Sequence, residues 1–308
     1  MLNISTNLII TKLVSILSLT IFGYLAGKLR LITKEGYFSL SNIIIFLALP
    51  ALTFTAVLSG VSRDSLLTFT YAPVFGFLII VLMLLLAVFI GRVAKIPVKK
   101  IGTLALLCSI PNSAYIGYPI ILAILGEKGL AYAVAYDAGA ALALWTIVLA
   151  VLKKETKMKK NWRGALTPPL FSVLFALIIK LSGWELPEMV LEPLTIMGQT
   201  TMPLAMVAIG YMVQQMKPTI SKDNVSLLIT TLVKLFVYPI FTYVFLGFFS
   251  LDPTFKLVVV IIAATPCMSS APVLAEKFGG DVSFATSGVF VTTILSVLTI
   301  PLLLYILG

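Results

Sequence analysis

Long apolar runs separated by short polar segments make up almost the whole chain. Runs of hydrophobic residues bounded by charge, Gly and Pro predict helices at about 7–29, 38–59, 67–91, 99–125, 129–152, 166–182, 188–214, 224–249, 254–278 and 283–306. A bilayer core about 30 Å thick needs roughly 20 apolar residues for each helix that crosses it. The pattern therefore predicts an all-α membrane protein with ten transmembrane helices, numbered here as spans 1 to 10.

The composition supports this interpretation, because 60% of the residues are hydrophobic and only 11% are charged. The first apolar run starts near Asn7 and has full length without a small-residue cleavage site, so it is predicted to be a retained span and not a signal peptide. A net charge of +10 would suggest nucleic-acid binding in a soluble protein. Here the basic residues fall in short loops between spans, so topology explains them and nucleic acid is not an expected partner.

The basic residues are distributed unevenly between the two sets of loops. Sixteen lie in odd-numbered loops: Lys28, Arg30, Lys34, Arg92, Lys95, Lys99, Lys100, Lys153, Lys154, Lys157, Lys159, Lys160, Arg163, Lys217, Lys222 and Lys277. Four lie in even-numbered loops: Arg63, Lys128, Lys180 and Lys256. Because basic loops stay in the cytoplasm, both termini are predicted to lie outside a plasma membrane.

Proline spacing reveals an internal repeat. Pro97, Pro111 and Pro119 in span 4 recur in span 9 at offsets of 156, 155 and 153, and a glycine closes each element 153 residues apart, at Gly126 and Gly279. Pro50 in span 2 and Pro203 in span 7 add another offset of 153. Five spans per copy is an odd number, so the second copy must be inverted. We predict one repeat over 1–152, a basic cytoplasmic linker over 153–164, and an inverted repeat over 165–308.

Spans 4 and 9 are each interrupted by proline, serine and small residues. In lipid such a break is tolerated only where other groups satisfy the freed backbone, so we expect a polar cavity at each break. Span 9 is predicted to end its first half at Thr265 and restart with Ser269 or Ser270 as N-cap. Span 4 restarts either at Asn112 or Ser113, or only at Pro119. The two half-helix N-termini, each with about half a positive charge, favour an anion.

The Pro111–Asn112 pair, the Pro266 break and the basic mid-chain loop resemble the auxin efflux carrier family, in particular its bacterial members regarded as malate or malonate permeases. The resemblance covers essentially the whole chain. It implies a fold similar to the bile-acid symporters, with spans 1, 2, 6 and 7 as scaffold, spans 3–5 and 8–10 as moving transport domain, and crossing broken helices. In the plant carriers Asn follows Pro at both breaks, whereas Cys267 follows Pro266 here. This difference weakens the expectation that both breaks bind the substrate through equivalent polar side chains.

The expected substrate site combines both breaks with part of span 7. Its residues are Pro111, Asn112, Ser113, Tyr115, Thr265, Pro266, Cys267, Ser269, Ser270, Gln199, Thr200 and Thr201.

Two ionisable residues fall deep inside spans. Asp137 lies roughly 12 Å and Lys234 about 15 Å from the nearer surface, counted at 1.5 Å per residue. They are interpreted either as a membrane ion pair or as a proton-coupling device in which Asp137 titrates. Small residues around Gly139 are predicted to allow close helix packing.

The chain contains no histidine, which rules out Ser/His and Cys/His dyads, and it has no P-loop, so we expect a non-enzyme with no cofactor and no metal site. The leading hypothesis is an organic-anion carrier working by alternating access, either proton-linked or uncoupled. The alternatives are a sodium-coupled symporter and a receptor that binds the anion without moving it. The expected partners are therefore a small organic anion, H⁺ or Na⁺ and the bilayer, and homodimerisation is left open.

Overall fold

The computed structural model describes residues 6–62, 66–152, 166–216 and 224–307. This part of the chain is 86% helical and has no strand, which confirms an all-α membrane protein. The predicted linker 153–164 lies outside the described residues, as do nine of the basic residues used for topology: Arg63, Lys153, Lys154, Lys157, Lys159, Lys160, Arg163, Lys217 and Lys222.

Six helical segments in the described part are long and apolar enough to cross a membrane: Lys34–Gly60, Leu66–Val93, Ser113–Leu152, Glu188–Gln215, Val225–Gly247 and Val282–Ile306. Pro168–Ser182 and Pro253–Ala264 are shorter apolar helices. The segment Ser113–Leu152 has 40 residues, about twice the length that one crossing needs. It is interrupted at Gly126, whose φ of 66° is not helical, and Gly279 likewise has a φ of 78° at the end of its helix. The sequence prediction that these two glycines close their elements is confirmed.

The chain divides into two compact units, each made of several segments. Unit 1 comprises residues 1–72, 114–135 and 166–215, and unit 2 comprises 73–113, 136–165 and 216–308. Three of the unit boundaries fall inside helical elements: α4 (Leu66–Val93), the π turn Ser113–Gly117 and α6 (Tyr118–Ala143).

Unit 1 contains six further helices. They are α1 (Thr6–Lys28), α2 (Lys34–Ile43), α3 (Leu49–Gly60), α8 (Pro168–Ser182), α9 (Glu188–Gln199) and α10 (Thr201–Gln215). Helix α1 packs on α10, and α3 packs on α8 and α9. Helices α1 and α10 approach each other closely at Gly210, because a Cβ at this position would overlap the carbonyl oxygen of Thr20. Between α8 and α3, Ser172 donates a 2.9 Å hydrogen bond to the carbonyl of Pro50.

Unit 2 contains seven further helices. They are α5 (Val98–Ser109), α7 (Leu149–Leu152), α11 (Asn224–Leu232), α12 (Tyr238–Gly247), α13 (Pro253–Ala264), α14 (Ala271–Phe278) and α15 (Val282–Leu307). Helices α4 and α6 meet backbone to backbone, because a Cβ on Gly139 would overlap the carbonyl oxygen of Pro73. The close packing predicted for the small residues of span 5 is confirmed at this glycine.

Three helices widen into a π-helical turn just before a proline. The turns Ile44–Ala48, Ser113–Gly117 and Val233–Val237 are followed, one residue later, by Pro50, Pro119 and Pro239. Proline has no N–H to donate and its ring crowds the carbonyl four residues back, which lies in the middle of each π turn. The wider turn relieves that clash without ending the helix. A fourth π turn, Leu144–Val148, has no proline after it.

Candidate functional site

The two broken helices meet inside unit 2. Helix α5 ends at Ser109 and α13 ends at Ala264, and the extended residues that follow form an isolated antiparallel bridge between Pro111 and Cys267. Within the bridge, the N–H of Asn112 donates to the carbonyl of Pro266 at 3.0 Å, and the N–H of Met268 donates to the carbonyl of Ile110 at 3.2 Å. Each break thus satisfies backbone groups of the other, as a site within a membrane requires.

Beyond the bridge both helices restart. Span 4 resumes at Ser113 with its π turn and continues as α6, so the alternative of an unwound stretch up to Pro119 is wrong. Span 9 resumes as α14 with Ser270 at the N-cap, but the hydroxyl of Ser270 makes no capping hydrogen bond. Thr265 is the C-cap residue of α13, as predicted. Pro119 and Pro272 are each the second residue of their helix.

The predicted substrate-binding residues at the breaks differ in exposure. Pro111, Thr265, Pro266 and Cys267 are buried, whereas Ser113, Ser269 and Ser270 are partly exposed. The N–H of Cys267 donates to Oγ1 of Thr292 at 3.2 Å, and its side chain has no exposed surface. The partly exposed residues are therefore those at the two N-terminal ends.

Asn112 carries an unused donor at this point. Its side chain is 3% exposed, and its Nδ2 is buried without a hydrogen-bond partner in the described part of the chain. A buried amide N–H without an acceptor costs about 1–3 kcal/mol, which makes this donor a candidate ligand contact.

Lys234 belongs to the π turn Val233–Val237 of span 8, lies against the C-terminal end of α13 and has no exposed surface. Its Nζ donates a 3.0 Å hydrogen bond to the carbonyl of Ala263, in the last turn of α13, and lies 4.2 Å from the ring centroid of Tyr238. A cation at this position neutralises the partial negative charge of the helix C-terminus. Lys234 stands out in the sequence, but neither of its partners was predicted from it, although a broken helix also has a carbonyl end to satisfy.

Asp137 is half-buried on α6, next to Tyr136. The side chains of Tyr136 and Tyr238 are both buried, and their hydroxyls lie within interaction distance of each other. Because Ala263 and Tyr238 already hold the ammonium of Lys234, the Asp137–Lys234 ion pair is not needed to retain it and stays a prediction. Neither tyrosine was predicted from the sequence to lie at this site.

The remaining predicted site residues belong to unit 1. Gln199 is exposed at the end of α9, Thr200 donates from Oγ1 to the carbonyl of Met197 at 2.6 Å, and Thr201 is buried with its hydroxyl unpaired in the described residues. Tyr115 lies near Tyr37 and Ser41, two residues that the sequence analysis had not named. The role of these four predicted residues in substrate binding stays a prediction.

Comparison with known proteins adds a family and two relatives. The family described as "Membrane transport protein" matches residues 8–161 and 154–304. An "uncharacterized transporter" of Methanocaldococcus jannaschii is 28% identical over 295 residues, which cover 93% of this chain and 95% of the relative. An "uncharacterized transporter" of Methanothermobacter thermautotrophicus is 27% identical over 303 residues, or 94% of this chain and 95% of the relative.

Proposed function

This chain belongs to the membrane transport protein family, the family of the auxin efflux carriers, and from that premise we propose that it is a carrier of small organic anions such as malate or malonate. It works by alternating access in the plasma membrane, with both termini outside. Its ten spans form two inverted repeats of five, with spans 1, 2, 6 and 7 as scaffold and spans 3–5 and 8–10 as the transport domain.

Corresponding positions in the two halves support the inverted repeat. Helices α5 and α13 end 155 residues apart, and α6 and α14 both have proline as their second residue, although span 4 already resumes at Ser113 with the π turn before α6. At the repeat offset of 153 residues, the π turn Ile44–Ala48 in span 2 corresponds to 197–201 in span 7, where α9 and α10 are separated at Thr200. Within unit 1, span 1 packs on span 7 and span 2 packs on span 6. In the repeat, span 1 is equivalent to span 6 and span 2 to span 7, so these two contacts are equivalent to each other.

The charge arrangement at the breaks supports an anion. Lys234 neutralises the carbonyl end of α13, whereas the N-terminal ends at Ser113 and Ser270 contribute partial positive charge at the breaks. The unpaired Nδ2 of Asn112 adds a further donor beside them. Backbone N–H groups, an amide and the helix dipole together suit a carboxylate and repel a cation.

The single observation that carries the proposal is the buried bridge between Pro111 and Cys267 with the unsatisfied amide of Asn112 beside it. A substrate carboxylate accepts from Asn112 and from the N-terminal ends at Ser113, Ser269 and Ser270. Thr265, Pro266 and Cys267 shape the break, while Tyr115, Gln199, Thr200 and Thr201 line the substrate path. Asp137 carries the coupled proton, since a carboxylate at this depth can change its charge during the cycle.

Uptake of labelled malate into proteoliposomes tests this function. We expect uptake by the purified protein that is raised by an inward pH gradient and unaffected by replacement of Na⁺ with K⁺. Dependence on Na⁺ would instead identify a sodium symporter. Saturable malate binding in detergent without any uptake or exchange would identify a receptor and contradict the proposed carrier.

A further inference from the structure

A cavity outside the broken helices lies at the C-terminal end of α4. Its volume is about 560 Å³, and it lies within unit 2. Its lining residues come from α4, from α5, from the turn between them and from α7: Val88, Arg92, Lys95, Ile96, Pro97, Val98, Ile101, Gly102 and Val151.

Two glycines bring the walls of this cavity together. A Cβ on Gly102 would lie 2.9 Å from Cα of Leu152, so α5 and α7 are in direct backbone contact there. A Cβ on Gly91 would lie 2.8 Å from the side chain of Ile101, which sets the distance between α4 and α5. The cavity is thus fixed by helix packing on two sides.

The cavity combines an apolar floor with a cationic edge. Six of its lining residues are aliphatic or proline, and Val98 is 76% exposed. Arg92 and Lys95 are both exposed, and both belong to the turn that ends α4. The floor suits a hydrocarbon chain, and the two cations suit a phosphate at the membrane surface.

Lys95 occupies a backbone position that normally requires glycine. Its φ is 56°, its N–H donates to the carbonyl of Arg92 at 3.1 Å, and the N–H of Ile96 donates to the carbonyl of Gly91 at 2.9 Å. This is the Schellman arrangement, in which the left-handed residue is usually Gly. A lysine at this position makes the turn less stable than glycine would, but it places a cation at the cavity.

We propose that this cavity binds an anionic phospholipid from the leaflet at the C-terminal end of α4, with its phosphate on Arg92 and Lys95 and an acyl chain over Val88, Ile101 and Val151. Basic pockets between membrane helices are recognised sites for acidic headgroups. A soluble anion would leave the apolar floor uncovered. A zwitterionic lipid would bring its own cation close to Arg92 and Lys95, which would repel it. The site does not depend on the transported substrate.

Arg30 provides a matched control. It ends α1 in the same left-handed conformation, with a φ of 59°, an N–H bond to the carbonyl of Gly27 at 3.1 Å and a bond from the N–H of Leu31 to the carbonyl of Ala26 at 2.8 Å. It is exposed and does not line this cavity. Lys95→Gly and Arg30→Gly therefore remove the same charge and relieve the same backbone strain.

The test is native mass spectrometry of the delipidated full chain titrated with phosphatidylglycerol or phosphatidylcholine. We expect phosphatidylglycerol to bind more tightly than phosphatidylcholine, Lys95→Gly to weaken it about fivefold, and Arg30→Gly to leave it unchanged. Val151→Trp, which fills the floor and keeps both charges, should weaken it as well.

Three outcomes would overturn the site. The first is equal binding of the two lipids by the unmodified protein, and the second is equal loss in Lys95→Gly and Arg30→Gly. The third is competition by glycerol phosphate as effective as that by the lipid, which would show that the headgroup alone is bound. Thermal unfolding of each variant in detergent shows that it is folded, and Lys95→Gly should unfold at the same temperature as the unmodified protein or higher.

Discussion

The backbone N–H of Asn112 donates to the carbonyl oxygen of Pro266, 3.0 Å away and 154 residues along the chain. This bond and its counterpart from Met268 to Ile110 join the breaks of spans 4 and 9 into one element. Four backbone groups of the two breaks are satisfied in this way: the N–H groups of Asn112 and Met268 and the carbonyls of Pro266 and Ile110. The side-chain Nδ2 of Asn112 is not used in the bridge and has no hydrogen-bond partner in the described residues.

The contact between α4 and α6 gives a stability prediction. Gly139→Ala would place a Cβ on the carbonyl oxygen of Pro73, and backbone cannot move aside as a flexible side chain can. We expect a loss of about 2 kcal/mol or more in the free energy of unfolding, measured in detergent by denaturant titration. Gly247→Ala is the control, because nothing lies within 4 Å of its Cβ, and an equal loss there would contradict the packing argument.

Lys234→Met should separate stability from transport. The lost hydrogen bond to Ala263 is worth about 1.5–3 kcal/mol, whereas burial of an ammonium costs several kcal/mol, so removal of the charge should leave the unfolding temperature unchanged or raised. Malate uptake should be lost, because the carbonyl end of α13 is then no longer neutralised beside the anion.

Tyr238→Phe is the control for Lys234, because it keeps the ring under the ammonium and removes only a hydroxyl whose neighbour is Tyr136. Its uptake and unfolding temperature should match those of the unmodified protein. A Lys234→Met variant that transports normally would contradict the proposed charge arrangement.

Asp137→Asn tests proton coupling. The amide has the size of the carboxylate but cannot carry a proton across, so uptake driven by a pH gradient should be lost while exchange of malate for malate continues. Both are measured in the same proteoliposomes with labelled malate. Loss of folded protein from the detergent extract would instead indicate a structural ion pair.

The predicted orientation is testable at Arg30, which is exposed at the end of α1. Arg30→Cys should react with a membrane-impermeant maleimide only after cells are permeabilised. The two native cysteines are buried and give little background. Labelling in intact cells would place this loop outside and contradict the cytoplasmic assignment of the basic loops.

The sequence predicted the helix breaks better than the contacts made there. Pro111, Pro266, Gly126 and Gly279 act through the backbone, so their effects follow from residue type and position alone. The partners of Lys234 were not predictable in this way, because counting residues along a helix gives depth in the membrane but not the direction of a side chain. The π turns did have a local signal, since three of them immediately precede a Leu-Pro or Tyr-Pro pair.

The most direct test of the carrier site is malate uptake by Asn112→Leu, measured together with its unfolding temperature. Leucine has the same branching at Cγ as asparagine and removes a buried donor that has no partner in the described residues. Because its two methyl groups are bulkier than the amide, the unfolding temperature shows whether the buried site accommodates them. Ser109→Ala, which removes a nearby hydroxyl already bonded to the carbonyl of Ala105, should transport normally. The account predicts uptake reduced at least tenfold in a stable Asn112→Leu protein. Normal uptake by that protein would contradict an anion bound at the crossing of the two broken helices.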